Sequence, residues 1–154
     1  MTTCLAPAIT SLARLAAAIE QLVLRHAFLR VDAATASAFS PPGRALLLLT
    51  DDPQRNPEVL DACVILPEAL KGQDRSELPT FVADADASLL LMKRFAVARA
   101  PAVVLLLDGQ LRGTLPGIRD WSEYIAAIAQ LLDGSRKSTP VSIPVVRAVQ
   151  GDAA

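Results

Sequence analysis

Arg94–Leu132 reads RFAVARAPAVVLLLDGQLRGTLPGIRDWSEYIAAIAQLL and carries a punctuation mark at every joint. A helix is expected to end near Phe95. Pro101 then precedes an unbroken apolar run, Ala102 to Leu107, with the length and composition of a buried strand. Asp108-Gly109 suits a two-residue hairpin turn that needs positive φ, so Gln110 to Leu115 is expected to fold back as an antiparallel partner. Gly117 closes the unit, and a final amphipathic helix is expected from about Asp120 through Leu132.

The chain before this unit alternates helices with strands. Ser11 to His26 has Leu12, Leu15, Ile19, Leu22 and Val23 on one face and Arg14, Gln21 and Arg25 on the other, which predicts a helix capped by Thr10 or Ser11. Phe28 to Val31 reads as a first strand, and Asp32 as the cap of a short helix through Phe39 that Pro41-Pro42-Gly43 ends. Ala45 to Thr50 is continuously apolar up to its last residue and is expected to be a central strand covered on both faces. Pro57 suits the first position of the next helix, Pro67 is expected to kink or divide it, and Lys71-Gly72 to end it. Thr80 to Ala83 is the third strand, and Asp84 or Asp86 caps a helix running through Ala96. After Leu132, the breaks at Gly134, Pro140 and Pro144 predict an extended or flexible tail over 134–154. The expected divisions are a helical extension over 1–27, one α/β domain over 28–133, and that tail.

Composition bounds the function. The 154 residues are 52% hydrophobic and 20% charged, enough for one packed domain. A net charge of −1 offers no footprint for nucleic acid. The apolar runs fall short of the ~18 residues that span a bilayer. Residues 4–24 are apolar, but Arg14 and Glu20 interrupt them and no basic segment precedes them, so a helix is expected here rather than a signal peptide, and the protein is expected to be cytoplasmic.

Catalytic constellations lack parts. Cys4 and Cys63 are the two cysteines, neither with a neighbour in sequence. Cys63 falls well inside its helix and is expected to be a small buried hydrophobe, and a Cys4–Cys63 disulfide is not expected in a cytosolic protein. His26, the single histidine, sits at a helix C-terminus where it can meet the last carbonyls. These three residues do not have zinc-ligand spacing, no glycine-rich loop is present to cradle phosphate, and no cofactor or metal is expected. An acidic group does remain. Asp32, Asp51, Asp52, Asp84 and Asp86 fall at or just after the C-terminal ends of three strands expected to be parallel, the edge where such sheets bind ligands. Such residues also cap helices and open turns, and those roles are compatible with a rim that receives a basic segment.

The helix, Val97-x-x-x-Pro101, apolar strand, Asp-Gly turn, second strand, Gly117 and terminal helix together resemble the C-terminal half of a thioredoxin. That resemblance implies a thioredoxin-like three-layer sandwich, a central mixed β-sheet flanked by helices, with an extra N-terminal helix. It also implies that Ala100-Pro101 is cis and faces the loop where thioredoxins carry Cys-x-x-Cys. The matching stretch here, Asp51-Asp52-Pro53-Gln54-Arg55-Asn56-Pro57-Glu58, contains no cysteine. Loss of the pair, together with Asp-Asp-Pro-x-Arg-x-Pro-Glu-Val at 51–59, Arg-x-Pro-Ala at 99–102 and Gly-Ile-x-x-Trp-x-Glu at 117–123, resembles the HyaE/HoxO/HupG family of hydrogenase accessory proteins over residues 20–133. The family implies a non-enzymatic chaperone. It would act in maturation of an uptake [NiFe]-hydrogenase, on the small iron–sulfur subunit precursor with its twin-arginine signal peptide, alongside other hydrogenase accessory proteins. The expected partner-binding residues are Asp51, Asp52, Arg55, Glu58, Asp84, Asp86, Ala100 and Pro101, with the Ala100 backbone free to pair with an extended peptide. The competing expectations are a thiol oxidoreductase using Cys63 and a general thioredoxin-like adaptor. Trp121 is expected to pack back on the sheet.

Overall fold

Ala45, Leu46, Leu47, Leu48 and Leu49 are all without solvent contact, as an apolar strand with layers on both faces must be. The computed structural model describes residues 10–137 and orders them as α1 (Ser11–His26), β1 (Leu29–Val31), α2 (Ala33–Ala36), β2 (Arg44–Leu49), α3 (Glu58–Ala69), β3 (Thr80–Ala83), α4 (Ala85–Phe95), β4 (Ala102–Leu107), β5 (Gln110–Pro116) and α5 (Trp121–Lys137). The sheet order is β1-β3-β2-β4-β5. The first three of these strands are parallel, β4 runs antiparallel to β2, and β5 antiparallel to β4. This is the thioredoxin-like sandwich expected from the motifs.

Side-chain alternation along β2 divides the core. Leu46 and Leu48 pack with Leu15, Ile19 and Leu22 of α1, Val59, Ala62 and Leu66 of α3, and Tyr124 and Ile128 of α5. Ala45, Leu47 and Leu49 point the other way, toward Ala36 of α2 and Ala87, Leu91 and Phe95 of α4. The N-terminal helix therefore shares its core with the central strand. Its cap is Thr10, whose side chain accepts the Ala13 N–H at 3.0 Å, and Ala27 ends it in the left-handed conformation.

The hairpin turn has positive φ at Asp108 (51°) and Gly109 (81°), as a type I′ turn requires. Several element boundaries differ from expectation, among them those of α3 and α5. Pro57 caps α3 instead of opening it. Pro67 lies inside α3, which continues to Ala69 before a 3₁₀ turn at Leu70–Gly72; this close to the helix end, proline removes one hydrogen bond and leaves the buried face intact. Finally, α5 passes Leu132 and Gly134 to reach Lys137, since glycine inside a helix costs only about 1 kcal/mol. The remainder of the expected tail, like Cys4, lies outside the described residues. Trp121 is a further difference. The buried face of α5 is made by Tyr124, Ile128 and Leu132, while Trp121, the first helical residue, is 50% exposed. No helix among the described residues is long and apolar enough to cross a membrane.

Candidate functional site

Parallel pairing brings the C-terminal ends of β1, β3 and β2 to one edge, and buried polar side chains stitch that edge together. The Thr50 N–H donates to Ser88 Oγ at 2.8 Å and its hydroxyl donates to the Ala83 carbonyl at 2.6 Å, while the Ser88 hydroxyl reaches the same carbonyl at 3.2 Å. The end of β2 is thereby tied to β3 and α4, and the loop that follows starts from a fixed point.

That loop, residues 51–57, is held by its own polar groups. Asp51 Oδ1 accepts the Asp52 N–H at 2.7 Å and an Arg55 Nη2–H at 2.6 Å, while Arg55 Nε–H donates to Oδ2 at 3.3 Å. The bidentate geometry fixes a guanidinium whose side chain is 66% exposed. Asp52 Oδ1 accepts the Gln54 N–H at 3.0 Å and the hydroxyl of Ser11, so the first residue of α1 is bonded to the loop. The Ser11 hydroxyl, then the Gln54 amide, and more weakly Arg55, hold the Asp52 carboxyl below the usual carboxylate range; Asp51 raises the Arg55 guanidinium. Asn56 Nδ2–H donates to the carbonyl of Ala100 and joins the loop to β4.

The Ala100-Pro101 peptide is cis, as the resemblance implies. The Pro101 carbonyl accepts the Gly117 N–H at 2.8 Å. Gly117 has φ of 72°, and a Cβ there would lie 3.1 Å from an Arg99 guanidinium nitrogen. Two separate sequence motifs, Arg-x-Pro-Ala and Gly-Ile-x-x-Trp, thus meet at one point through a glycine that leaves room for the arginine.

Asp51, Asp52, Arg55, Ala100 and Pro101 are brought together, with Glu58 exposed in the first turn of α3. The other rim residues have local roles. Asp32 forms a capping box with Thr35, and Asp84 caps α4 by accepting the Ala87 N–H at 2.9 Å while its second oxygen pairs with Arg30 at 3.3 Å. Asp86 is exposed on α4. The Ala100 backbone is not wholly free as expected: its carbonyl belongs to Asn56, and the residue is buried. Ser11, Thr50, Asn56 and Ser88 are not among the site residues expected from sequence. Each is a lone polar residue bonded to a distant partner, and no spacing rule marks it.

The one cysteine of the described residues is unsuited to exchange. Cys63 is buried on the α3 face that meets Tyr124, and burial pushes its thiol up to about 12. Among the described residues, no group of three or more His, Cys, Asp or Glu is placed to hold a metal ion.

Residues 18–124 match the family model described as hydrogenase-1 expression protein HyaE. The chain belongs to the HyaE family. It is 34% identical over 128 residues to the hydrogenase expression/formation protein HupG of Bradyrhizobium diazoefficiens, covering 79% of this chain and 86% of that protein. It is 36% identical over 107 residues to the hydrogenase expression/formation protein HoxO of Azotobacter vinelandii, covering 70% of each. The crystal structure of oxidised mitochondrial thioredoxin 3 from Saccharomyces cerevisiae superposes with a TM-score of 0.51 at 15% identity, over 70% of this chain and 96% of that one. The HyaE-family chain therefore has the fold of a thioredoxin, and a hydrogen-bonded Asp-Asp-Pro-Gln-Arg-Asn loop at the position where the resemblance places the redox pair.

Proposed function

We propose that this HyaE-family chain is a cytoplasmic, non-catalytic maturation chaperone for an uptake [NiFe]-hydrogenase. It holds the small iron–sulfur subunit precursor, with its twin-arginine signal peptide, before export and supports assembly in the presence of oxygen. The observation that carries this reading is the replacement of thiol chemistry by a built polar loop. Asp51, Asp52, Arg55 and Asn56 are fixed beside Ala100 and Pro101, whereas Cys63 is buried with its thiol protonated. The names of its relatives HupG and HoxO support a role in hydrogenase formation.

The rim recognises by exchange. An arginine of the precursor competes with Arg55 for the Asp51 carboxylate, and the exposed Arg55 side chain swings into solvent as it is displaced. Glu58 lies exposed in the first turn of α3 to meet a further basic residue. Backbone pairing to the Ala100 carbonyl requires the Asn56 amide to give way to a peptide N–H.

The test is capture of the tagged full chain from cells making the hydrogenase, with mass spectrometry of what accompanies it. Unprocessed small subunit is expected with the wild type. Asp51→Asn with Asp52→Asn is expected to lower its recovery severalfold and to flatten the dependence on salt. Absence of the precursor under both aerobic and anaerobic growth would sink the proposal. Loss of hydrogenase maturation in a Cys63→Ser variant that folds normally would move the function back to thiol chemistry.

A further inference from the structure

The helix α4 has two faces with opposite chemistry. Ala87, Ser88, Leu91 and Phe95 are buried against the sheet. On the outward side Asp86, Leu89, Leu90 and Lys93 fall at i, i+3, i+4 and i+7, which places them in one stripe along the helix. All four are exposed, Leu89 by 57% and Leu90 by 48%. Leu89, Leu90, Lys93, Met92 and Val97 line a shallow depression of about 480 Å³. Two adjacent leucines half in water on a single stripe, with an acid at one end and a base at the other, call for a covering surface of matching pattern.

We propose that the surface is α4 of a second copy of this chain, packed antiparallel about a two-fold axis. The stripe is its own complement. With the axis passing between Leu89 and Leu90, Leu89 meets Leu90 of the second copy, and Asp86 meets Lys93 of the second copy at both ends. A two-fold interface demands this self-matching order, in which residue i meets j and j meets i. Parallel packing would instead place acid on acid and base on base. Neither Asp86 nor Lys93 has an ion-pair partner among the described residues, so both charges are available. Asp86, grouped from sequence with the acidic rim, is assigned here to the second copy. The inference stands independently of the precursor-holding role.

The contact is small. An 11-residue helix is about 16 Å long, and one helix crossing buries less than the ~1,200–2,000 Å² of a stable interface. The dimer is therefore weak and dependent on concentration, and salt weakens it further.

Sedimentation equilibrium of the full chain at rising concentration and low salt tests this. The average mass is expected to climb from one chain toward two. Leu90→Gln, on the outward face and clear of the core, is expected to abolish the climb. Asp86→Lys and Lys93→Asp are each expected to abolish it, because each sets like charges opposite one another, and the double variant is expected to restore it. The reversals also oppose the helix dipole, so thermal melting is used to choose a temperature at which every variant is folded. If a reversal variant does not fold, Lys93→Gln, expected to weaken association severalfold, takes its place. A wild-type chain that stays monomeric, association untouched by Leu90→Gln, or a folded double variant that stays monomeric would each overturn the proposal and leave the stripe to a different protein.

Discussion

A thiol reacts through its thiolate, so the environment of Cys63 decides what that residue can do. Its thiol is held at about 12, against about 8.5 in an unfolded chain. In the native protein iodoacetamide at about pH 8 is expected to modify Cys63 far more slowly than in urea, as peptide mapping would reveal. The sign of the linked stability follows. Because the folded value is raised, the stabilisation is complete below about pH 8.5 and declines as pH rises toward the folded value. Tyr124, also raised to about 12 by burial and by its neighbour Cys63, adds to the decline above about pH 10. The melting temperature is expected to fall through this window, and less steeply in Cys63→Ser; an equal slope in both would place the cause elsewhere. A second residue-scale expectation concerns Asn56. Asn56→Ala leaves the buried Ala100 carbonyl without its donor and is expected to cost roughly 1–3 kcal/mol in urea unfolding.

At the scale of elements, α1 separates expectation from finding most clearly. Its periodicity is plain in the sequence, and Ser11–His26 is helical as expected, yet nothing in the pattern shows that it completes the core beneath β2. Ile19, fully buried there, makes the point measurable. Ile19→Ala is expected to destabilise the whole chain by about 2–5 kcal/mol, with one cooperative transition; a loss of helicity that precedes any change in the fluorescence of Trp121 on α5 would mark the helix as a separate unit. Strands β3 and β4 were legible to the residue, because a continuous apolar run bounded by turn residues has few alternatives. The edge strand β1 and the short α2 came out shorter than expected, since Phe28 and Phe39 are apolar for packing and not for strand or helix formation. The site was legible in its acidic residues and in Pro101. It was illegible in its bonds: Ser11 to Asp52 spans 41 positions, Asn56 to Ala100 spans 44, and Thr50 to Ser88 spans 38. Polar side chains carry no periodicity that encodes such partners. Trp121, expected at its helix start to pack back on the sheet, is instead left half exposed in the first turn of α5.

For the molecule as a whole, stability should be graded from the centre of the sheet outward. The interior of β2 is fully covered and flanked by β3 and β4, while β1 contributes three residues and leaves one side unpaired. Amide exchange is expected to be slowest in β2 and β4 and faster by orders of magnitude in β1, as NMR can resolve residue by residue. Uniform protection across the sheet would contradict this grading. The 51–57 loop follows β2, so it is displayed by the part of the sheet expected to exchange most slowly. One consequence of the Asp51–Arg55 pair concerns time. Under the exchange proposed above, a visiting arginine would not add an ion pair to an empty carboxylate; it would trade places with a resident that stays tethered four residues away and is ready to return. Such a tethered competitor has a high effective concentration and shortens every stay. A carrier of the proposed kind would hold its cargo only briefly at each visit and surrender it to the next component of an assembly line without needing energy to let go.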